Sequence, residues 1–95
     1  MELEILVTVK EYFASLEAGE NRMTVKGRIT KPVDDNDTFF YETDKLYKEN
    51  GTPMSNTASV RNTFEDIERH LFRYLNEFQA ALNNGSTYVD NENYQ

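Results

Sequence analysis

The side chains best suited to acid–base or metal chemistry are His70 and Asp66, which lie one turn apart on a predicted helix. Histidine titrates near neutral pH and is a common metal ligand, and a neighbouring carboxylate could orient it. However, His70 is the one histidine of the chain, and there is no cysteine. An Asp one turn before a His on a helix is typical of a local charge pair. We therefore predict no catalytic residue, no metal site and no cofactor.

The acidic stretch from Asp34 to Asp37 has a spacing loosely similar to that of a calcium-binding loop. The glycine and the distal bidentate Glu that such a loop requires are missing from their positions, so we predict no calcium site. The sequence also contains no nucleophile elbow, no glycine-rich phosphate loop and no HExxH pattern. These absences predict a protein that is not an enzyme.

A basic stretch and an aromatic stretch lie close together in the sequence and could bind single-stranded nucleic acid through backbone charge and base stacking. The basic residues are Arg22, Lys26, Arg28 and Lys31, and the aromatic residues are Phe39, Phe40 and Tyr41. The net charge of −7, however, repels a polyanion and an anionic membrane alike. Direct nucleic-acid binding is therefore kept as the second alternative.

The acidic excess favours a protein partner, and a basic nucleic-acid-binding protein in particular, although such a charge also serves solubility. Small acidic phage proteins that inhibit restriction or CRISPR systems are similar in kind, as an analogy of class alone. We predict a small acidic inhibitor of phage or mobile-element type that mimics nucleic acid, with Phe40 or Phe72 as apolar anchors. The carboxylates that would imitate phosphates are Asp34, Asp35, Asp37, Glu42, Asp44 and Glu49.

A long helix over residues 59–82 is the element on which the rest of the chain must pack. Its large apolar residues recur at spacings of three and four, which indicates one buried helix face. Thr63 with Asp66 approximates a capping box, and Gly85 follows the last apolar position as a helix-ending residue. The apolar stripe consists of Val60, Phe64, Ile67, Leu71, Tyr74, Leu75, Phe78 and Leu82.

Two strands before this helix form a predicted hairpin. Apolar and polar residues alternate over 2–9 and again over 23–30, and turn residues occupy 18–21. Pairing Val9 with Ile29 and Phe13 with Val25 keeps both apolar sets on one face. This register places Gly27 opposite Glu11 and predicts a β-bulge there.

A third strand is predicted over 38–43, and residues 44–50 allow two interpretations. They either extend that strand to a turn at Asn50-Gly51 or form a short helix capped by Thr43. Residues 1–85 are predicted to form one domain, and residues 86–95 a flexible, polar and acidic tail. The predicted fold is α+β, a three-stranded antiparallel β-meander packed on one long C-terminal helix.

Three large apolar residues, Leu6, Phe40 and Phe72, fall on the predicted outer faces of their elements. Such residues predict a surface covered by a protein partner or by a second copy in a homodimer. The first alternative function is therefore a homo-oligomeric structural or assembly subunit. The lack of an apolar run of membrane-spanning length, of a basic signal segment and of cysteine predicts a cytoplasmic protein.

Overall fold

The computed structural model describes residues 4–55 and 62–94 of the chain. Strands β1, β2 and β3 form a first antiparallel sheet in the order β1-β2-β3, which confirms the predicted meander. A second sheet, which the sequence did not predict, has the order β5-β4-β6. The elements in chain order are β1 (Leu6–Ala18), β2 (Asn21–Pro32), β3 (Phe40–Thr43), β4 (Lys45–Glu49), β5 (Thr52–Pro53), α1 (Phe64–Asn83) and β6 (Tyr88–Asp90).

The β1–β2 hairpin is the longest part of the first sheet, and its register corrects the prediction. Gly19, with a φ of 67°, begins a two-residue turn of the kind that matches strand twist, and this turn pairs Ala18 with Asn21. Counting back from that pair places Ala14, not Phe13, opposite Val25. The predicted register was therefore wrong by one residue along most of the hairpin.

The β-bulge lies in β1 between Thr8 and Lys10, not at Gly27 as predicted. Gly27 is instead the point of close approach to the helix. A Cβ atom placed there would lie 3.2 Å from Leu71 Cδ1. The glycine therefore serves packing rather than a local irregularity.

Strands β3 and β4 follow each other with only Asp44 between them and belong to different sheets. Residues 45–49 are a strand that ends at the predicted Asn50-Gly51 turn, so the short-helix alternative is wrong. The strand does not extend β3 as predicted, because it belongs to the second sheet. Asn50 and Gly51 have φ values of 53° and 80°, the pair of positive angles that a type I′ hairpin turn requires.

Helix α1 begins at Phe64, where Thr63 is the N-cap and accepts a hydrogen bond from the Asp66 N–H at 3.1 Å. It ends as predicted: Gly85 has a φ of 85°, and the N–H groups of Gly85 and Ser86 donate to Leu82 and Ala81. The helix therefore starts later than the predicted residue 59. Val60 lies outside the described residues.

The core packs α1 against the inner face of the first sheet and against β4, in two adjoining clusters. The first cluster is built from Leu16, Val25, Tyr47, Tyr74 and Phe78, and the second from Ile29, Phe39, Ile67 and Leu71. Helix residues at the predicted stripe positions therefore supply the centre of both clusters. No helix in the described ranges is long and apolar enough to span a membrane.

Residues 86–94 pack on the domain, whereas the sequence predicted a tail. Strand β6 pairs with β4, and the Asn91 side chain donates to the buried Thr43 carbonyl at 2.9 Å. The Tyr94 ring lies 4.2 Å from Arg28 Cζ on the outer face of the first sheet. A cation–π contact of this kind holds Tyr94 against β2.

Candidate protein-interaction surface

The predicted His70–Asp66 pair does not form. Asp66 Oδ1 contacts Arg69 Nη1 at 3.3 Å, and the buried Nδ1 of His70 has no hydrogen-bond partner among residues 4–55 and 62–94. Those same ranges contain no cluster of three His, Asp or Glu residues that could hold a metal ion. The geometry therefore offers no acid–base pair at this position.

The loop before β3 uses part of its acidic charge to fold itself. The Asp35 carboxylate accepts hydrogen bonds from the Asp37 N–H at 2.7 Å and from the Thr38 hydroxyl at 3.0 Å. Such bonds stabilise a tight turn, and they occupy oxygens that a calcium ion or a partner would need. The side chains of Asp34 and Asp37 are exposed.

The other three proposed phosphate mimics are dispersed. Glu42 forms a partly buried ion pair with Arg28, and Asp44 Oδ1 accepts from the Lys26 N–H at 2.8 Å. Glu49 is exposed at the far end of β4 from the acidic loop. The six carboxylates therefore do not form one continuous row.

The basic residues of β2 are mostly engaged within the fold. Arg28 lies between Glu42 and Tyr94, Arg22 contacts Glu17 at 3.7 Å, and Lys31 Nζ donates to backbone carbonyls of the following loop. Of the aromatic stretch, Phe39 is buried in the core, and Tyr41 packs on it. This arrangement leaves Phe40 as the outward-facing ring of the three.

Phe40 and Leu6, two of the three out-of-phase residues, line one groove on the outer face of the first sheet. The groove has a volume of about 360 Å³ and lies between that face and the chain that follows β6. Phe72 is elsewhere, at the inner side of β1, where its ring packs edge-on against Tyr12 at 5.6 Å. The groove is lined by Glu4, Leu6, Thr30, Phe40, Tyr41, Glu42, Leu46, Ser55, Asn91 and Asn93.

Sequence reasoning missed two features, one in this groove and one elsewhere on the outer face of the first sheet. Asn91 and Asn93 line the groove, but they follow a strand of three residues that is too short to show periodicity. Phe13, predicted to face the core, is 68% exposed because the true register turns it outward. Counting back from the two-residue turn at Gly19 would have revealed this orientation.

Comparisons with known proteins returned no relative: no protein-family model, curated protein or solved structure matches this chain.

Alkaline solution is expected to unfold the protein through its core tyrosines. Burial, with a contribution from the Glu77 carboxylate that accepts its hydroxyl bond, raises the pKa of Tyr47 from 10.0 to about 12. Burial also raises the pKa of Tyr74. Because the folded state holds these protons more tightly, their stabilisation is complete below pH 10 and is lost as pH rises towards 12.

Urea unfolding between about pH 9 and about pH 12 measures this loss. The Tyr47→Phe variant should show a shallower fall, because it removes one of the shifted groups. Equal slopes for the two proteins would contradict the assignment to Tyr47.

Proposed function

We propose that this chain is a non-enzymatic protein-binding module that holds a basic segment of a partner in the groove on the outer face of the first sheet. One observation carries the proposal: Leu6 and Phe40, both out of phase with the core, meet in one groove beside the carboxylates of Glu4 and Glu42. An apolar floor with acidic groups beside it suits the apolar stem and charged head of Arg or Lys.

The charge available to a basic occupant of this groove comes from Glu4 and from the net charge of the chain, because Glu42 is already paired with Arg28 beneath the Tyr94 ring. Glu4, at the same groove, is exposed. The net charge of −7 would attract a basic partner over a longer range and raise the association rate.

The partner class that fits this surface best is a nucleic-acid-binding protein whose basic surface the module occupies, in the manner of a small acidic inhibitor. The exposed carboxylates of Asp34, Asp37 and Glu49 act in this proposal as parts of the long-range field. A phage or mobile-element role and a cytoplasmic location belong to the same proposal. Their support is charge and size.

The experiment is affinity capture from cell lysate with three immobilised proteins, followed by purification of what is retained. Leu6→Lys places a positive charge in the groove and should weaken capture of a basic partner at least about tenfold. Val33→Lys makes the same change of charge at an exposed apolar residue that does not line the groove, so it should capture as the wild type does.

The purified partner then allows a functional test. Wild-type protein should displace a labelled oligonucleotide from it, measured by fluorescence anisotropy, and the displacement should weaken with added salt. The Leu6→Lys protein should displace it poorly. Equal capture by the wild type and by Leu6→Lys would contradict the proposal. So would a gel shift in which the wild-type protein, without any partner, retards oligo-dT.

A further inference from the structure

The middle of β1 has an open edge. Ala18 and Asn21 form the pair that closes the two-residue turn, so alternate residues before Ala18 direct their N–H and C=O groups away from β2. Gln79 confirms this geometry, because its amide bonds to both the N–H and the C=O of Glu17 at 2.9 Å. The corresponding groups of Glu11, Phe13 and Ser15 have no hydrogen-bond partner in the described part of the chain.

The two ends of this edge are protected and its middle is not. Gln79 occupies the edge at Glu17, and the bulge between Thr8 and Lys10 interrupts it at the other end. Bulges and covering groups are the usual means by which proteins prevent edge pairing. Between them lie five residues, 11–15, with the 68% exposed side chain of Phe13 at their centre.

We propose that residues 11–15 pair with the same residues of a second copy of this chain, antiparallel and about a twofold axis at Phe13. Phe13 then faces Phe13 of the second copy, and Glu11 faces Ser15. In each of these facing pairs the two residues exchange two backbone hydrogen bonds, N–H to C=O in both directions. The two first sheets become one continuous sheet with both helices on the same side.

The charges select this register over its neighbours. Arg22 Nη1 donates to the Ser15 hydroxyl at 3.2 Å, so Glu11 of one copy meets a guanidinium of the other, twice by symmetry. A shift in one direction would set Glu11 against Glu17, which Gln79 already occupies. A shift in the other direction would set Phe13 against Glu11. Opposite-charge and ring–ring pairs are the favourable cross-strand pairs.

The inner face of this arrangement accounts for Phe72. Its ring is 45% exposed and packs on Tyr12. In the proposed register Tyr12 lies opposite Ala14 of the second copy, a side chain small enough to leave room for the Phe72 ring. The second copy would therefore cover exposed aromatic surface on both faces of the new sheet.

The dimer is expected to be weak, because five-residue pairing buries less than the roughly 1,200 Å² typical of stable interfaces. We expect a dissociation constant on the order of 10–100 µM. The pairing does not depend on the proposed function, since it uses the strand edge and not the groove. The Leu6→Lys protein should dimerise as the wild type does, so the two proposals fail separately.

Sedimentation equilibrium over this concentration range tests the pairing. Phe13→Lys sets two like charges against each other at the axis and should raise the dissociation constant at least about tenfold, whereas Val33→Lys should leave it unchanged. Glu11→Arg should weaken the dimer, and adding Arg22→Glu should restore it. A wild type that stays monomeric at about 200 µM, an unaffected Phe13→Lys dimer or a failed restoration would overturn the proposal.

Amide hydrogen exchange gives a readout that does not depend on any substitution. The amides of Glu11, Phe13 and Ser15 should exchange fast in dilute protein and slowly in concentrated protein, whereas those of Tyr12 and Ala14, bonded to β2, should be protected in both. Exchange without this alternation would overturn the register. An edge protected only when a peptide of another protein is added would overturn self-pairing.

Discussion

Phe78→Ala is expected to lower the free energy of unfolding by about 3–5 kcal/mol, the usual cost of truncating a fully buried Phe. The side chain has 0% exposure and contacts three aromatic rings. Its ring centroid lies 5.5 Å from that of Tyr47, 6.3 Å from Tyr74 and 6.2 Å from Tyr88. Tyr47 and Tyr88 belong to the second sheet, and Leu16 and Val25 of the first sheet lie in the same core cluster, so Phe78 joins the helix to both sheets. Local relaxation cannot fill the cavity that its truncation leaves.

Phe72→Ala is the matched control, because it makes the same change on the same helix at a residue that is 45% exposed. Its ring contact with Tyr12, one aromatic contact against the three of Phe78 within the described residues, predicts a loss below about 1.5 kcal/mol. Urea unfolding of dilute protein, followed by circular dichroism, measures both. Similar losses of unfolding free energy for the two variants would contradict the placement of Phe78 in the core and of Phe72 near the surface.

The helix could be predicted from the sequence because its signal is local. Ile67, Leu71 and Phe78 recur with the helical period, and the period does not depend on what the helix meets. The turns at Gly19 and Asn50-Gly51 were predictable for the same reason, since few residues adopt positive φ. These local signals were sufficient to predict the α+β fold with its three-stranded meander.

The register of the hairpin was harder to predict because its two ends are paired in registers that differ by one residue. Beyond the bulge, Thr8 pairs with Thr30, in the frame that pairing Val9 with Ile29 assumed. On the turn side, the frame is shifted by one residue. A bulge changes the frame within one strand, and the alternation of side chains does not show where the change occurs.

The groove and the second sheet could not be predicted because they depend on contacts between distant residues. Phe40 and Leu6 meet across β2, and Asn91 reaches them only through the pairing of β6 with β4. Strand β6 has three residues, too few for any periodic pattern. Its position is set by the free edge of β4 and by the sharp turn after α1.

Ending the chain after Ser86 is expected to lower the free energy of unfolding by about 3 kcal/mol or more. The truncation removes β6, so β4 loses its longer partner strand. It also removes both bonds from Asn91, whose side chain donates to the Thr43 carbonyl and whose N–H donates to the Asp44 carbonyl at 2.8 Å. An unsatisfied buried polar group costs about 1–3 kcal/mol, and the loss of Tyr88 exposes Phe78 in addition.

Two point variants separate these contributions, and urea unfolding measures all three proteins. Asn91→Ala should cost about 1–2 kcal/mol, because it removes one donor to a buried carbonyl. Glu92→Ala, at an exposed neighbour, should change stability by less than about 0.5 kcal/mol. Ser86 is kept because its N–H closes the end of α1, so any loss belongs to the segment beyond the helix. A flexible tail and a structural strand predict opposite results here: a truncated chain as stable as the full one would mean that residues 87–95 do not hold the second sheet.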